Sequence, residues 1–94
     1  MTYQEIESKL VAILSKYDVQ KIGIFGSYAK GLQKPDSDMD VLVNFRNIKS
    51  LLTLVRIERE LSESIGVKVD LLTEQSVSPY LIDRIKSELK VIYQ

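Results

Sequence analysis

The spacing of apolar positions along this chain alternates between helical and strand-like periods, and each switch marks an element. Thr2 and Glu5 have capping-box spacing, and Ile6, Leu10, Ile13, Leu14 and Tyr17 follow at helical intervals. This predicts an amphipathic helix over residues 3–16, ending near Asp18, with Glu5, Glu7, Lys9 and Lys16 on a solvated face. Residues 21–25 read as a first strand, and Gly23 within it predicts that something packs closely there. Gly26 ends the strand, and Ser27 is a suitable N-cap for a short helical turn through Lys30. Residues 32–37 form a loop marked by Pro35-Asp36, and residues 39–45 a second strand. Asn47 or Ser50 then caps a long helix carrying Leu51, Leu54, Val55, Glu58, Leu61 and Ile65, with Gly66 as its stop. In a third strand over 67–72, Val67, Val69 and Leu71 face one way and Lys68, Asp70 and Leu72 the other. Ser78-Pro79 opens a last helix to about Glu88, and residues 91–93 close as a short edge strand. With no linker and no internal repeat, residues 1–94 are expected to form one small α/β domain.

Composition narrows the chemistry. The chain has no cysteine and no histidine, which removes disulfides, thiolate sites, the usual zinc ligand and the commonest general base. Any metal site must be built from oxygen, which favours Mg²⁺ or Mn²⁺. Formal net charge is zero, an argument against nucleic acid as a direct ligand. No apolar run reaches the length of a membrane span and no signal-like segment opens the chain, so a soluble cytoplasmic protein is expected.

The candidate chemistry lies between the first two strands, in Gly26-Ser27-Tyr28-Ala29-Lys30-Gly31 and Ser37-Asp38-Met39-Asp40. The glycine spacing resembles a Walker loop, but Leu32-Gln33 stands where Lys-Ser/Thr is required, so a P-loop is rejected. What remains is a strand-to-helix turn with free N–H groups and a hydroxyl, suited to phosphate oxygens. Strand alternation puts Asp38 and Asp40 on one face, roughly 7 Å apart. Asp70, mid-strand between Val69 and Leu71, adds a third carboxylate, unless an ion pair with Lys68 or Lys21 accounts for it. Two carboxylates near 4 Å repel by about 4 kcal/mol at an effective dielectric of 20, a sizeable part of a small domain's stability, so a cation is expected among them. Three strand carboxylates beside a phosphate-suited turn fit two-metal phosphoryl or nucleotidyl transfer.

Gly26-Ser27, ten intervening residues and then Asp38-Met39-Asp40 resemble the signature of the DNA polymerase beta-type nucleotidyltransferase superfamily. The wording Gly-Ser-Tyr-Ala-Lys-Gly and Ser-Asp-Met-Asp is most similar to its minimal nucleotidyltransferases, the MNT antitoxins, and the Asp70 strand resembles the family's third-carboxylate strand. The resemblance implies a polymerase beta-like α+β fold, with a small mixed, largely antiparallel sheet and helices on one side. It implies transfer of AMP from ATP with release of pyrophosphate, using two Mg²⁺ ions, with Mn²⁺ as a substitute. Gly26 and Ser27 would hold the terminal phosphates, Asp38 and Asp40 both metals, and Asp70 the metal facing the acceptor hydroxyl. Lys30 would join Gly26 and Ser27 in binding the nucleotide; it stands where the family more often carries Arg, which keeps the charge and gives up bidentate contact.

The implied partner is a HEPN ribonuclease toxin, silenced by adenylylation of a tyrosine. No Arg-x-x-x-x-His stretch occurs here, so the toxin would be a separate chain in a hetero-oligomer. A chain this short leaves the acceptor site to that partner. Tyr80, Ile85 and Tyr93 are partner-surface candidates, although core packing is the expected role of each. Two other functions fit the same residues: an antitoxin acting by binding alone, and the catalytic half of a split enzyme modifying a small molecule or tRNA.

Overall fold

The computed structural model describes residues 2–94. Thr2 Oγ1 accepts the Glu5 N–H at 3.1 Å while Glu5 turns back to Thr2, and this capping box starts α1 (Tyr3–Leu14). The helix tightens into a 3₁₀ turn at Ser15–Tyr17, and Asp18, at φ 59°, reverses the chain into β1 (Val19–Phe25). β1 begins two residues earlier than its apolar run predicts because Val19 pairs with Phe45. A single turn, α2 (Ser27–Lys30), leads to β2 (Met39–Phe45), which pairs antiparallel with β1. Of the two cap candidates for α3 (Leu51–Ile65) it is Ser50 that serves, accepting the Thr53 N–H, and Gly66 at φ 85° ends the helix. α3 is the crossover that a parallel pairing requires, and it delivers β3 (Val69–Thr73) beside β2. After a 3₁₀ turn, α4 (Pro79–Glu88) starts behind Ser78 as its Ser-Pro signal predicts, and β4 (Lys90–Tyr93) adds to the free edge of β1.

The sheet order is β3-β2-β1-β4, mixed, with two of its three pairings antiparallel. One face carries Ile22, Ile24, Met39, Val41, Val43, Val69 and Leu71, buried against Ile6, Leu10 and Leu14 of α1 and Ile57, Leu61 and Ile65 of α3. The two helices are also clamped to each other, since Glu60 accepts the Tyr17 hydroxyl at 2.8 Å and Lys9 Nζ donates to the Ser64 carbonyl at 3.1 Å. The opposite face, set by the register, carries Gly23, Leu42, Asp40 and Asp70. The close approach expected at Gly23 comes from Leu89, just past α4: a Cβ on Gly23 would lie 2.5 Å from Leu89 Cγ. Of the three aromatic and aliphatic residues expected in the core at the chain's end, Tyr80 is almost fully exposed, Tyr93 is exposed and Ile85 half-buried, because α4 buries none of its side chains fully.

One feature of α3 bears directly on the site. β3 is an edge strand, and its outward N–H groups would be unpaired. Glu58 Oε2 accepts the Leu71 N–H at 2.8 Å, and Ser62 Oγ accepts the Val69 N–H at 2.9 Å while donating to the Glu58 carbonyl. Two polar side chains one helical turn apart thus hold the strand on either side of Asp70. Glu58→Ala should destabilise the fold by about 1–3 kcal/mol, the usual consequence of stranding a part-buried donor, measured by urea denaturation. Glu58→Gln, which keeps an acceptor, should recover most of the loss.

Candidate active site

Gly26 is where the two halves of the sequence motif meet. Its φ of 74° and ψ of −151° lie in a region that is essentially closed to residues with a side chain. A Cβ there would also collide with Asp40 Oδ2. Backbone conformation and carboxylate placement therefore both demand glycine at this position. The sequence suggested Ser27 as the N-cap of the following turn; in the structure Gly26 is the cap and Ser27 the first helical residue, with no side-chain cap bond. The Ser27 hydroxyl is consequently not used to close the turn.

The carboxylates come together through register. Phe25 pairs with Asp40 across β1–β2, and Asp40 with Asp70 across β2–β3, so both aspartates sit on one face beside the end of β1. Asp38 lies in the loop just before β2, close enough that its charge acts on Asp40 and that Lys68 reaches both it and Asp70. Asp40 is half-buried, and its carboxyl is held above the usual carboxylate range by burial first, then by the negative charges of Asp70 and Asp38. None of those influences is a cation.

Lys68, which the sequence offered as an ion-pair partner for Asp70, reaches both outer carboxylates, at 3.8 Å from Asp70 Oδ1 and 3.7 Å from Asp38 Oδ2. Its side chain is 68% exposed, so it can swing away at little cost, and long exposed pairs of this kind contribute well under 1 kcal/mol. The other candidate, Lys21, is paired with Glu74. Lys30 makes no ion pair with the carboxylates, because its ammonium lies 3.2 Å from Glu88 at the end of α4.

An oxygen-only donor set with one carboxylate uncompensated and two neutralised by a mobile lysine suits a hard divalent cation. Among the described residues no three acidic side chains are gathered into a ready-made cage. Sequence reasoning singled out the carboxylates and the turn but not Glu58 and Ser62, which position β3. The available signal was two polar residues four apart, bordering the apolar stripe of Leu54, Ile57, Leu61 and Ile65.

Comparison with known proteins places this geometry. The nucleotidyltransferase domain model matches residues 7–92. A Methanocaldococcus jannaschii protein provisionally named a protein adenylyltransferase is 50% identical over 88 residues, covering 94% of this chain and 95% of that protein. The protein adenylyltransferase MntA of Thermococcus cleftensis is 42% identical over 81 residues, 82% of each chain. A crystal structure of a toxin–antitoxin with AMP-PNP superposes with a TM-score of 0.86 at 26% identity, over 93% of this chain and 72% of that one. The complex of a tri-AMPylated Shewanella oneidensis HEPN toxin with its MNT antitoxin gives 0.82 at 22% identity, over 98% and 72%, a likeness of fold. With residues 7–92 matched by that domain model and nearly the whole length shared with a 50% identical relative, the chain belongs to the nucleotidyltransferase domain family.

Proposed function

We propose that this chain is a Mg²⁺-dependent adenylyltransferase antitoxin that moves AMP from ATP to a tyrosine hydroxyl of a separate HEPN-type toxin. The observation that carries the reading is the fit of Gly26 against Asp40, on a face where Asp40 and Asp70 are in register and no cation among the described residues pairs with Asp40. The relatives named protein adenylyltransferases, the similar structure with AMP-PNP and the HEPN–MNT complex support the donor, the reaction and the partner.

In this reading the N–H groups at Gly26 and the Ser27 hydroxyl receive the terminal phosphates, which places the α-phosphorus over the aspartate face. Asp38 and Asp40 would hold the metal ions, with Asp70 completing the site on the acceptor side. Bound Mg²⁺ would neutralise charge on the leaving pyrophosphate and make the acceptor hydroxyl more acidic. The tyrosine oxygen attacks the α-phosphorus, the bond to the β-phosphate oxygen breaks, pyrophosphate departs, and Asp70 takes up the hydroxyl proton. Lys68 must release Asp38 and Asp70 for this to proceed, which its exposure allows. Lys30, engaged by Glu88, is left out of the assignment.

The deciding experiment is label transfer with ATP labelled at the α- or the γ-phosphate, using the HEPN-type toxin of the same source cells. Alpha-label on the toxin, without gamma-label, is the expected result. ATP binding with no transfer to any chain would overturn the catalytic reading in favour of neutralisation by binding. Asp40→Asn should lower transfer more than about 100-fold, exceeding the effect typical of residues that merely support metal ligands. The same variant should be more stable than wild type without metal. A carboxyl whose pKa is raised on folding favours the folded state below its unfolded-state pKa, and that advantage is lost as pH rises through the raised value. The melting-temperature gap between Asp40→Asn and wild type should therefore widen from acid toward neutral pH and shrink when Mg²⁺ is added. Gly26→Ala should cost about 1–3 kcal/mol of stability from backbone strain, with loss of ATP binding seen by calorimetry.

A further inference from the structure

α3 carries two apolar stripes. One, through Leu54, Ile57, Leu61 and Ile65, faces the core. The other is Leu51, Leu52 and Val55 on the first turns of the helix, with Ile48 in the loop that leads into it, and these four side chains are 76, 79, 53 and 96% exposed. The outer stripe stops there, since Arg59 and Glu63, farther along the helix, form an exposed ion pair with each other. Single exposed apolar residues are ordinary, but four within eight positions around one helix start make a larger apolar patch. Beside it Leu51, Leu54 and Val55 join Leu71, Leu72 and Thr73 to line a groove of about 320 Å³.

The rim of the stripe is basic. Arg46, Lys49 and Arg56 enter none of the ion pairs among the described residues. The acids of α3 are already engaged: Glu58 by the Leu71 N–H, Glu60 by Lys16 and Tyr17, Glu63 by Arg59. A second copy of this chain is a poor occupant, because a two-fold contact through the patch would set these cations against themselves. A membrane surface is also a poor match, since the stripe is under two turns long and continues into a groove that a flat surface cannot fill.

We propose that the Ile48–Val55 stripe and its groove are the docking surface for the separate partner chain, taken up by an amphipathic helix of that partner with acidic residues flanking its apolar side. Apolar anchors entering a groove supply affinity, and the Arg46, Lys49 and Arg56 rim supplies charge complementarity and a fast, salt-sensitive approach. The partner is the one of the proposed function, on which this inference rests. The stripe opens α3 while the aspartates lie on and just before the strands, and the groove reaches β3 at Leu71 and Leu72, next to Asp70, so a partner held here is presented beside the aspartate face.

The test measures binding of the purified HEPN-type toxin of the same source cells by calorimetry, with transfer scored separately. The patch substitutions are at exposed positions, where effects on stability stay within about 0.5 kcal/mol. Leu51→Ser/Leu52→Ser should weaken toxin binding at least about 30-fold, with ATP binding and melting temperature unchanged. Arg46→Glu/Arg56→Glu should slow association about tenfold or more and flatten its salt dependence. Asp40→Asn should bind the toxin like wild type while failing in transfer, so a failed adenylylation reading and a failed docking surface give different results. Toxin binding unaltered in both patch variants would overturn the proposal. So would stripe-dependent dimerisation of the protein alone in sedimentation equilibrium, or stripe-dependent binding to phosphatidylglycerol vesicles.

Discussion

The arrangement depends on holding like charges together. Parallel pairing of β2 with β3 sets Asp40 directly beside Asp70, and the antiparallel pairing with β1 brings the Gly26 turn against the same carboxyl group. Desolvation and two neighbouring negative charges raise the Asp40 pKa, so the folded protein works against its own electrostatics at this point. The register is kept because the opposite face of the same strands is fully buried. A one-residue slip of β2 would turn Met39, Val41 and Val43 out of the core, and the carboxylates would move with them. Hydrophobic burial on one face thus fixes acidic geometry on the other.

The exposed edge of that arrangement is secured by α3. An edge strand bearing a proposed site aspartate is open to fraying and to pairing with other chains. Glu58 and Ser62 accept the outward N–H groups of Leu71 and Val69, so the crossover helix serves also as a cover for the strand it delivers. The same helix contributes to the core through Ile57, Leu61 and Ile65 and presents Leu51, Leu52 and Val55 to solvent. Core, site support and the proposed docking stripe occupy three sides of one helix. The cation at the site, Lys68, sits just ahead of β3, where its carbonyl accepts the Met39 N–H at 2.8 Å while its exposed side chain reaches Asp38 and Asp70.

The sequence alone determined the elements and the chemical inventory. Capping at Thr2 and Ser78 and the stop at Gly66 follow from local rules, because caps are set by residues within a few positions of one another. The absence of cysteine and histidine and the presence of Asp38, Asp40 and Asp70 restricted any metal chemistry to oxygen ligands. Gly23 announced a close contact without saying with what. Tertiary structure alone decided the long-range identities: that Leu89 fills the space over Gly23, that Asp40 rather than Asp38 or Asp70 lacks a cation, and that Lys68 bridges the outer two. It also decided that Gly26 caps α2 in place of Ser27, and that Tyr80 lies in solvent instead of the core. The physical reason is the same in each case. Burial, register and charge pairing between residues far apart in the chain depend on how whole elements pack, and local spacing carries no information about which partner arrives.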